Sequence, residues 1–181
     1  MSNNEKVLNI LFLDLEPQAC AFAHNDKDIK LKLHVHTRIM IHAHLKLDPE
    51  GDFTKSLKPP VVHFPSSLRW ITSSRANYQW LHDLWFWLNK EYFYRYELMH
   101  DDWPKYYNKL SHKPKNIPDG ELTVPPNPEL ITNLEDDMQN AIESFRLWYT
   151  KKCKAKNATW GAGSEYENYI QQPNWMEYAN V

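Results

Sequence analysis

The stretch Arg69 to His100, RWITSSRANYQWLHDLWFWLNKEYFYRYELMH, interleaves aromatic side chains with Arg69, Ser73, Ser74, Asn77, Glu91, Arg95 and His100, a polar set that would be costly to bury idly. Read as one helix from Asn77 to His100, it places Glu91 and Arg95 four apart on one face, with Tyr94 beside them and His100 more than a turn further on. A helix that is apolar nearly all round is a buried helix, so an ionisable group on its inner side must be paired or must serve a site. This segment therefore sets a helical fold and marks where function is to be sought.

Composition bounds the rest. A chain of 181 residues with 42% hydrophobic and 14% aromatic residues is globular and long enough for one domain with a substantial core. One domain, residues 1–181, is expected. Four glycines against twelve prolines, with eight tryptophans, disfavour Gly-rich phosphate loops and favour helices joined by Pro-stiffened loops. No glycine precedes Gly51, so neither a dinucleotide fingerprint nor a Walker loop fits the first fifty residues. A net charge of −2 is not the footprint of a protein gripping duplex phosphates over a long surface. The opening MSNNEKVLNILFLDL lacks a cleavage-type small-residue site, and no run approaches the roughly 18 apolar residues of a membrane span. No membrane partner is expected, and the cytoplasm is the expected location. Cys20 and Cys153 are too few for a disulfide framework and are expected as free thiols.

Working outward from the aromatic helix, the fold class is mainly α: a single-domain helical bundle with one short N-terminal β-strand and a long Pro-rich connector. Val7 to Leu15 alternates as a strand should and ends at Glu16-Pro17, where proline suits a helix start over roughly residues 17–24. KDIKLKLHVHTRIMIHAHLKL fits either a strand or a helix by pattern. Residues 48–65 read as loop, with Ser66-Ser67 as a cap for a short helix through Trp70. Trp103 to Leu110 makes a further short helix. Residues 113–133, with five prolines, form the extended connector. Glu135 to Lys154 is an amphipathic helix with acids first and lysines last, as the helix dipole favours. Residues 157–181 make an irregular tail, partly packed down by Trp160 and Trp175.

The order ILFLDLEPQACAFAHNDKD (10–28), HFPSSLRW (63–70), SSRANYQWL (73–81), KEYFYRY (90–96), His100, NIPDG (116–120) and AIESFRLWYTKKCKAKNATW (141–160) resembles a family of small, functionally uncharacterised proteins common in tailed-phage genomes. These open on a pattern like IFxLDxDPxxAAxxHxDKHxxK, continue through NYxWL and ExTYRYGKxH, and end on SYRxYYxxxK. The resemblance covers nearly the whole chain. Asp14, Pro17, His24, Asp26, Lys27, Trp70, Ser74, Asn77, Trp80, Leu81, Glu91, Tyr94, Arg95, Tyr96 and His100 match its pattern. Asp28 stands where the family usually has a histidine, and Thr72 where it often has an arginine. The resemblance implies a largely helical fold and a phage setting, in which case the cytoplasm is the host's, and it favours nucleotide or nucleic-acid work.

The chemistry expected of these residues is glycosidic-bond or base-modifying, with a nucleotide, a nucleic-acid base, or single-stranded or flipped-base DNA as partner. Asp26, Glu91 and His24 are the catalytic candidates: a carboxylate for acid/base work, and an imidazole with Asp26 as its orienter. Lys27 and Arg95 would hold phosphate or stabilise negative charge. Asn77 and Ser74 would read a base edge, with Trp80 and Tyr94 as pocket walls and His100 as a further contact. Each has a structural alternative: a capping and salt-bridge turn at 24–27, an ion pair at Glu91 and Arg95, and a helix cap at Ser74. If those prevail, the expectation is a non-catalytic nucleotide-binding or host-factor-inhibiting protein, with a homodimer a further expectation. His34, His36, His42 and His44 form two HxH pairs, but on a helix the members of each diverge, so a solvated histidine face is expected and neither metal nor cofactor. The lysines of 105–115 and 151–156 read as solvated faces.

Overall fold

The computed structural model describes residues 9–58, 64–127, 137–165 and 170–177. Its described residues form seven α-helices: α1 (Pro17–Phe22), α2 (Asp26–Leu47), α3 (Asp52–Lys55), α4 (Pro65–Ile71), α5 (Arg75–Tyr96), α6 (Asp102–Leu110) and α7 (Met138–Ala155), with a short 3-10 turn at Asn174–Met176. The mainly helical bundle is as expected. No helix among these is long and apolar enough to cross a membrane.

The N-terminal strand is a correction. Of Val7 to Leu15, only Asn9 onward is described, and it runs extended without a partner strand. Ile10, Leu11, Phe12 and Leu13 are all buried, so the alternation read from the sequence does not separate an inner from an outer face. Helices enclose the segment, and side chains take the carbonyls that a sheet would have paired. Cys20 Sγ donates to Leu11 O (3.2 Å), Arg146 Nε to Leu13 O (2.7 Å) and Trp80 Nε1 to Leu15 O (2.7 Å). Phe12 packs against both Trp80 and Phe145, with ring centroids 4.9 and 6.3 Å away. This extended segment is the axis on which α5 and α7 close.

The stretch that pattern left open is the long helix α2, begun where Asn25 accepts the Asp28 N–H at 2.9 Å. It packs against α4, α5 and α6, and α1 packs against α5. The α4 helix starts on Pro65, which has no N–H to leave unsatisfied; Ser66 and Ser67 lie inside it and do not cap it. Ser74 caps α5 instead, accepting the Asn77 N–H at 3.1 Å. α5 ends at Tyr96, with Glu97 left-handed at φ 54° as its C-cap, so His100 lies beyond the helix rather than on it. The described part of the connector is extended, buries Ile117 and lies across the α4–α5 junction. The start of the expected helix at Glu135 falls outside the described residues; α7 is capped by Asp137, whose carboxylate accepts the N–H groups of Gln139 and Asn140. Both cysteines are buried free thiols.

Candidate functional site

Arg95, 2% exposed, is the centre of the polar interior. Its Nε and Nη2 donate to Glu91 Oε2 at 3.2 and 3.0 Å, and its Nη1 to Asp26 Oδ1 and His24 O, both at 3.0 Å. A longer bond from Nη2 reaches Phe22 O at 3.4 Å. The guanidinium's donors are thus spent inside the protein, tying α5 to the α1–α2 turn, and none is left to hold a phosphate.

Asp26 is equally engaged. Beyond Arg95 it accepts from Gly161 N (2.7 Å), Ala162 N (3.1 Å) and Thr159 Oγ1 (2.8 Å). Burial pushes its carboxyl up, but these hydrogen bonds outweigh it and hold the group below the usual carboxylate range. A carboxylate so saturated is a staple for the 159–162 turn and a poor base. Gly161 belongs to the same device: its φ is +70°, and a Cβ there would stand 2.7 Å from Ile170. His24 is fully buried, with Nδ1 2.7 Å from Cys20 O and Nε2 without a partner. Burial pushes its imidazole down to about 4, so it is neutral near pH 7 and out of reach of a substrate. Lys27 is exposed on the first turn of α2.

The expected base-reading set is a joint. Asn77 Nδ2 donates to Trp70 O, Ser73 Oγ and Thr123 Oγ1, and Asn77 Oδ1 accepts the Thr123 N–H. Ser74 Oγ donates to Glu121 O, and Trp80 packs 6.3 Å from Trp70. These residues clamp α4, α5 and the connector together. Of the residues expected to act, Lys27 is on the open surface, and Glu91, Tyr94 and His100 line cavities.

They do not share one. A groove of about 470 Å³ runs between α1, the C-terminal part of α5 and residues 170–174, and Glu91, Tyr94 and Phe22 line it. Glu91 Oε2 takes both Arg95 bonds, while Oε1 has no hydrogen-bond partner among the described residues. Burial pushes its carboxyl above the usual value despite Arg95. A second cavity, of about 190 Å³, lies on another side of α5 and is lined by Asn89, Lys90, Phe93, Met99, His100 and Trp103. Here Asn89 is 7% exposed; its Nδ2 donates to Trp85 O at 2.8 Å, which fixes the amide's orientation, and its buried Oδ1 has no partner. The backbone N–H of Asp102 donates to His100 Nδ1 at 3.2 Å, so the neutral ring carries its proton on Nε2. Burial lowers the His100 pKa, which favours that neutral form. Trp103 is a stiff wall, stacked between Trp85 and Tyr107 at 5.2 and 4.3 Å.

Sequence reasoning missed Asn89 and the buried polar stripe of α2. Asp28, Lys32 and His36 follow one another at four-residue spacing, all buried, with Asp28 held by Lys152 at 2.8 Å and by Asn25 at 2.9 Å. Burial lowers the Lys32 ammonium to about 8. The four-residue spacing was the available signal. The expected solvated histidine face is corrected here as well: His36, His42 and His44 are buried, and of the four only His34 is exposed, by about half, with its Nδ1 3.0 Å from Asp102 Oδ2. Thr72, at the second departure from the phage pattern, accepts Lys46 Nζ at 3.2 Å. Among the described residues no three His, Cys, Asp or Glu side chains converge as metal ligands.

Among the described residues these features make a mainly helical chain in which the groove and the smaller cavity lie on different sides of α5. No family model, curated protein or solved structure matches it.

Proposed function

We propose that the protein is a non-catalytic binder of a nucleotide through its base, acting in a phage setting, with the base seated between Asn89 and His100. The observation that carries this is the unpartnered, buried Asn89 Oδ1 in a cavity that the His100 ring, with its proton on Nε2, also lines. An orphaned buried acceptor costs about 1–3 kcal/mol, which a ligand N–H placed against it recovers. The ligand that fits presents a donor to Asn89 and an acceptor to His100, as adjacent groups on a nucleobase edge do. A cavity of about 190 Å³ is below the roughly 300–1,000 Å³ usual for whole ligands, so it suits one ring system with the sugar and phosphate left outside near Lys90. Phe93 and Met99, more than half exposed, supply apolar cover for the ring.

The catalytic alternative rests on Glu91 alone, because Asp26 is saturated and His24 is enclosed. Its support is the free Oε1 and raised pKa of that carboxyl. Native mass spectrometry and calorimetry against nucleobases, nucleosides, nucleotides, cyclic nucleotides and short single strands test both. The expected result is one base-bearing ligand per chain, recovered with unchanged mass, and bound at least tenfold more weakly by Asn89→Leu. No binding by the wild type, or an affinity indifferent to Asn89→Leu, rejects the proposal. A ligand recovered with altered mass, its turnover lost in Glu91→Gln, establishes the enzyme instead.

A further inference from the structure

The groove on the other side of α5 has the opposite character. Its charge balance is simple: two carboxylates, Asp26 and Glu91, share one guanidinium, so the cluster carries a net negative charge when both are ionised. Arg95 cannot offset the excess by turning outward, since its N–H groups all serve the interior. Nor does the excess sit on Asp26, whose two oxygens accept from Gly161, Ala162 and Thr159. It falls on Glu91, which is 8% exposed, lines the groove, and has one oxygen without a partner. No lysine lines the groove; Arg95 reaches it with its N–H groups already committed, and the remaining lining is the aromatic Phe22 and Tyr94, 46% and 43% exposed, the amides Gln171, Gln172 and Asn174, and the apolar Ile170 and Pro173.

We infer that this groove is a second binding site, for a ligand carrying an organic ammonium group, with Glu91 Oε1 as its counter-ion and the Phe22 and Tyr94 rings as its walls. A desolvated carboxylate flanked by aromatic rings attracts such a cation by direct charge and by the quadrupole of each ring, the latter adding about 0.5–2 kcal/mol according to exposure. The same charge balance excludes a phosphate, so this site and the base-binding cavity take different ligands and stand or fall independently. Its volume of about 470 Å³ is in the range of whole small molecules. The shared chemistry is the ammonium group, whether on a free amine or on a lysine side chain.

Calorimetric titration of the full chain with choline, cadaverine, spermidine and a lysine-containing peptide tests the assignment, with a neutral alcohol of similar size as control. Saturable one-to-one binding of an amine is expected, weakened at least tenfold in Glu91→Gln and in Phe22→Ala, and unchanged in Asn89→Leu. Phe22, being half exposed, keeps the test valid if Glu91→Gln fails to fold. Binding of the peptide alone assigns the cation to a lysine side chain; binding of the free amines assigns a small molecule. Absence of saturable binding by every cation at millimolar concentration, or equal affinity for the neutral control, overturns the inference.

Discussion

Arg95 shows how one residue can look functional in sequence and be structural in space. Its partners Glu91 and Asp26 both carry buried or half-buried carboxylates, so removing the guanidinium leaves Glu91 without its hydrogen-bond donor and strips Asp26 of its counter-charge, although Gly161, Ala162 and Thr159 still bind Asp26. Breaking a buried ion pair from one side typically costs about 3–5 kcal/mol, and Arg95→Met is expected to destabilise the fold by that order, measured as a fall in the denaturation midpoint. A midpoint within 1 kcal/mol of wild type, by the ~1 kcal/mol scale of ordinary mutations, would mean that Arg95 is free for ligand after all. The Glu91–Arg95 pair was legible in the sequence because four-residue spacing on a helix is a short-range signal. Asp26 as the third member was not, since it is 69 residues distant, and no periodicity reports which turn of chain a guanidinium will reach. Asn89 escaped for another reason: an asparagine in a helix carries no pattern until its Oδ1 is found buried and unpaired.

At the scale of elements, α5 was legible as a helix but not in its stop. The aromatic run predicted continuation to His100; the helix ends at Tyr96 because Glu97 turns left-handed and donates its N–H to Phe93 O at 2.8 Å. Glycine usually occupies that position, and its absence removed the signal. A left-handed conformation costs an ordinary residue about 1–2 kcal/mol, and glycine's greater freedom in the unfolded chain returns roughly 0.5–1 kcal/mol of that. Glu97→Gly is therefore expected to stabilise the protein by up to ~1 kcal/mol, read from urea denaturation. A lowered midpoint would contradict the left-handed cap. The extended Asn9–Leu15 segment was misread for a related reason. Alternating aliphatic residues imply a strand only if neighbouring backbone supplies the hydrogen bonds, and here side chains supply them from helices, Cys20 from the adjoining α1 and Trp80 and Arg146 from helices distant in sequence.

Across the whole molecule, the interior holds several neutral imidazoles, which makes stability a function of acidity. Burial lowers His24 and His44 to about 4 each and His36 well below its ordinary value of 6.5. In the unfolded chain these rings protonate near 6.5; in the folded one they stay neutral to lower pH. Between those limits the unfolded state binds more protons, so stability is greatest above pH 6.5 and is lost progressively as pH falls from 6.5 towards 4. Each ring contributes a slope of up to about 1.4 kcal/mol per pH unit, and the total stability of a domain is only about 5–15 kcal/mol. Acid unfolding is thus expected well above the range where carboxylates protonate. Lys32 acts in the other window: lowered to about 8 when folded against 10.5 unfolded, it adds stability as pH rises from 8 towards 10.5. Guanidinium titrations at pH 7.5, 6.0 and 5.0 check the acid limb, with His24→Gln and His36→Gln each expected to flatten it. A stability constant from pH 7.5 to 5.0 would require these rings to be open to water, and with them the enclosed α1–α2 turn that keeps His24 away from any substrate.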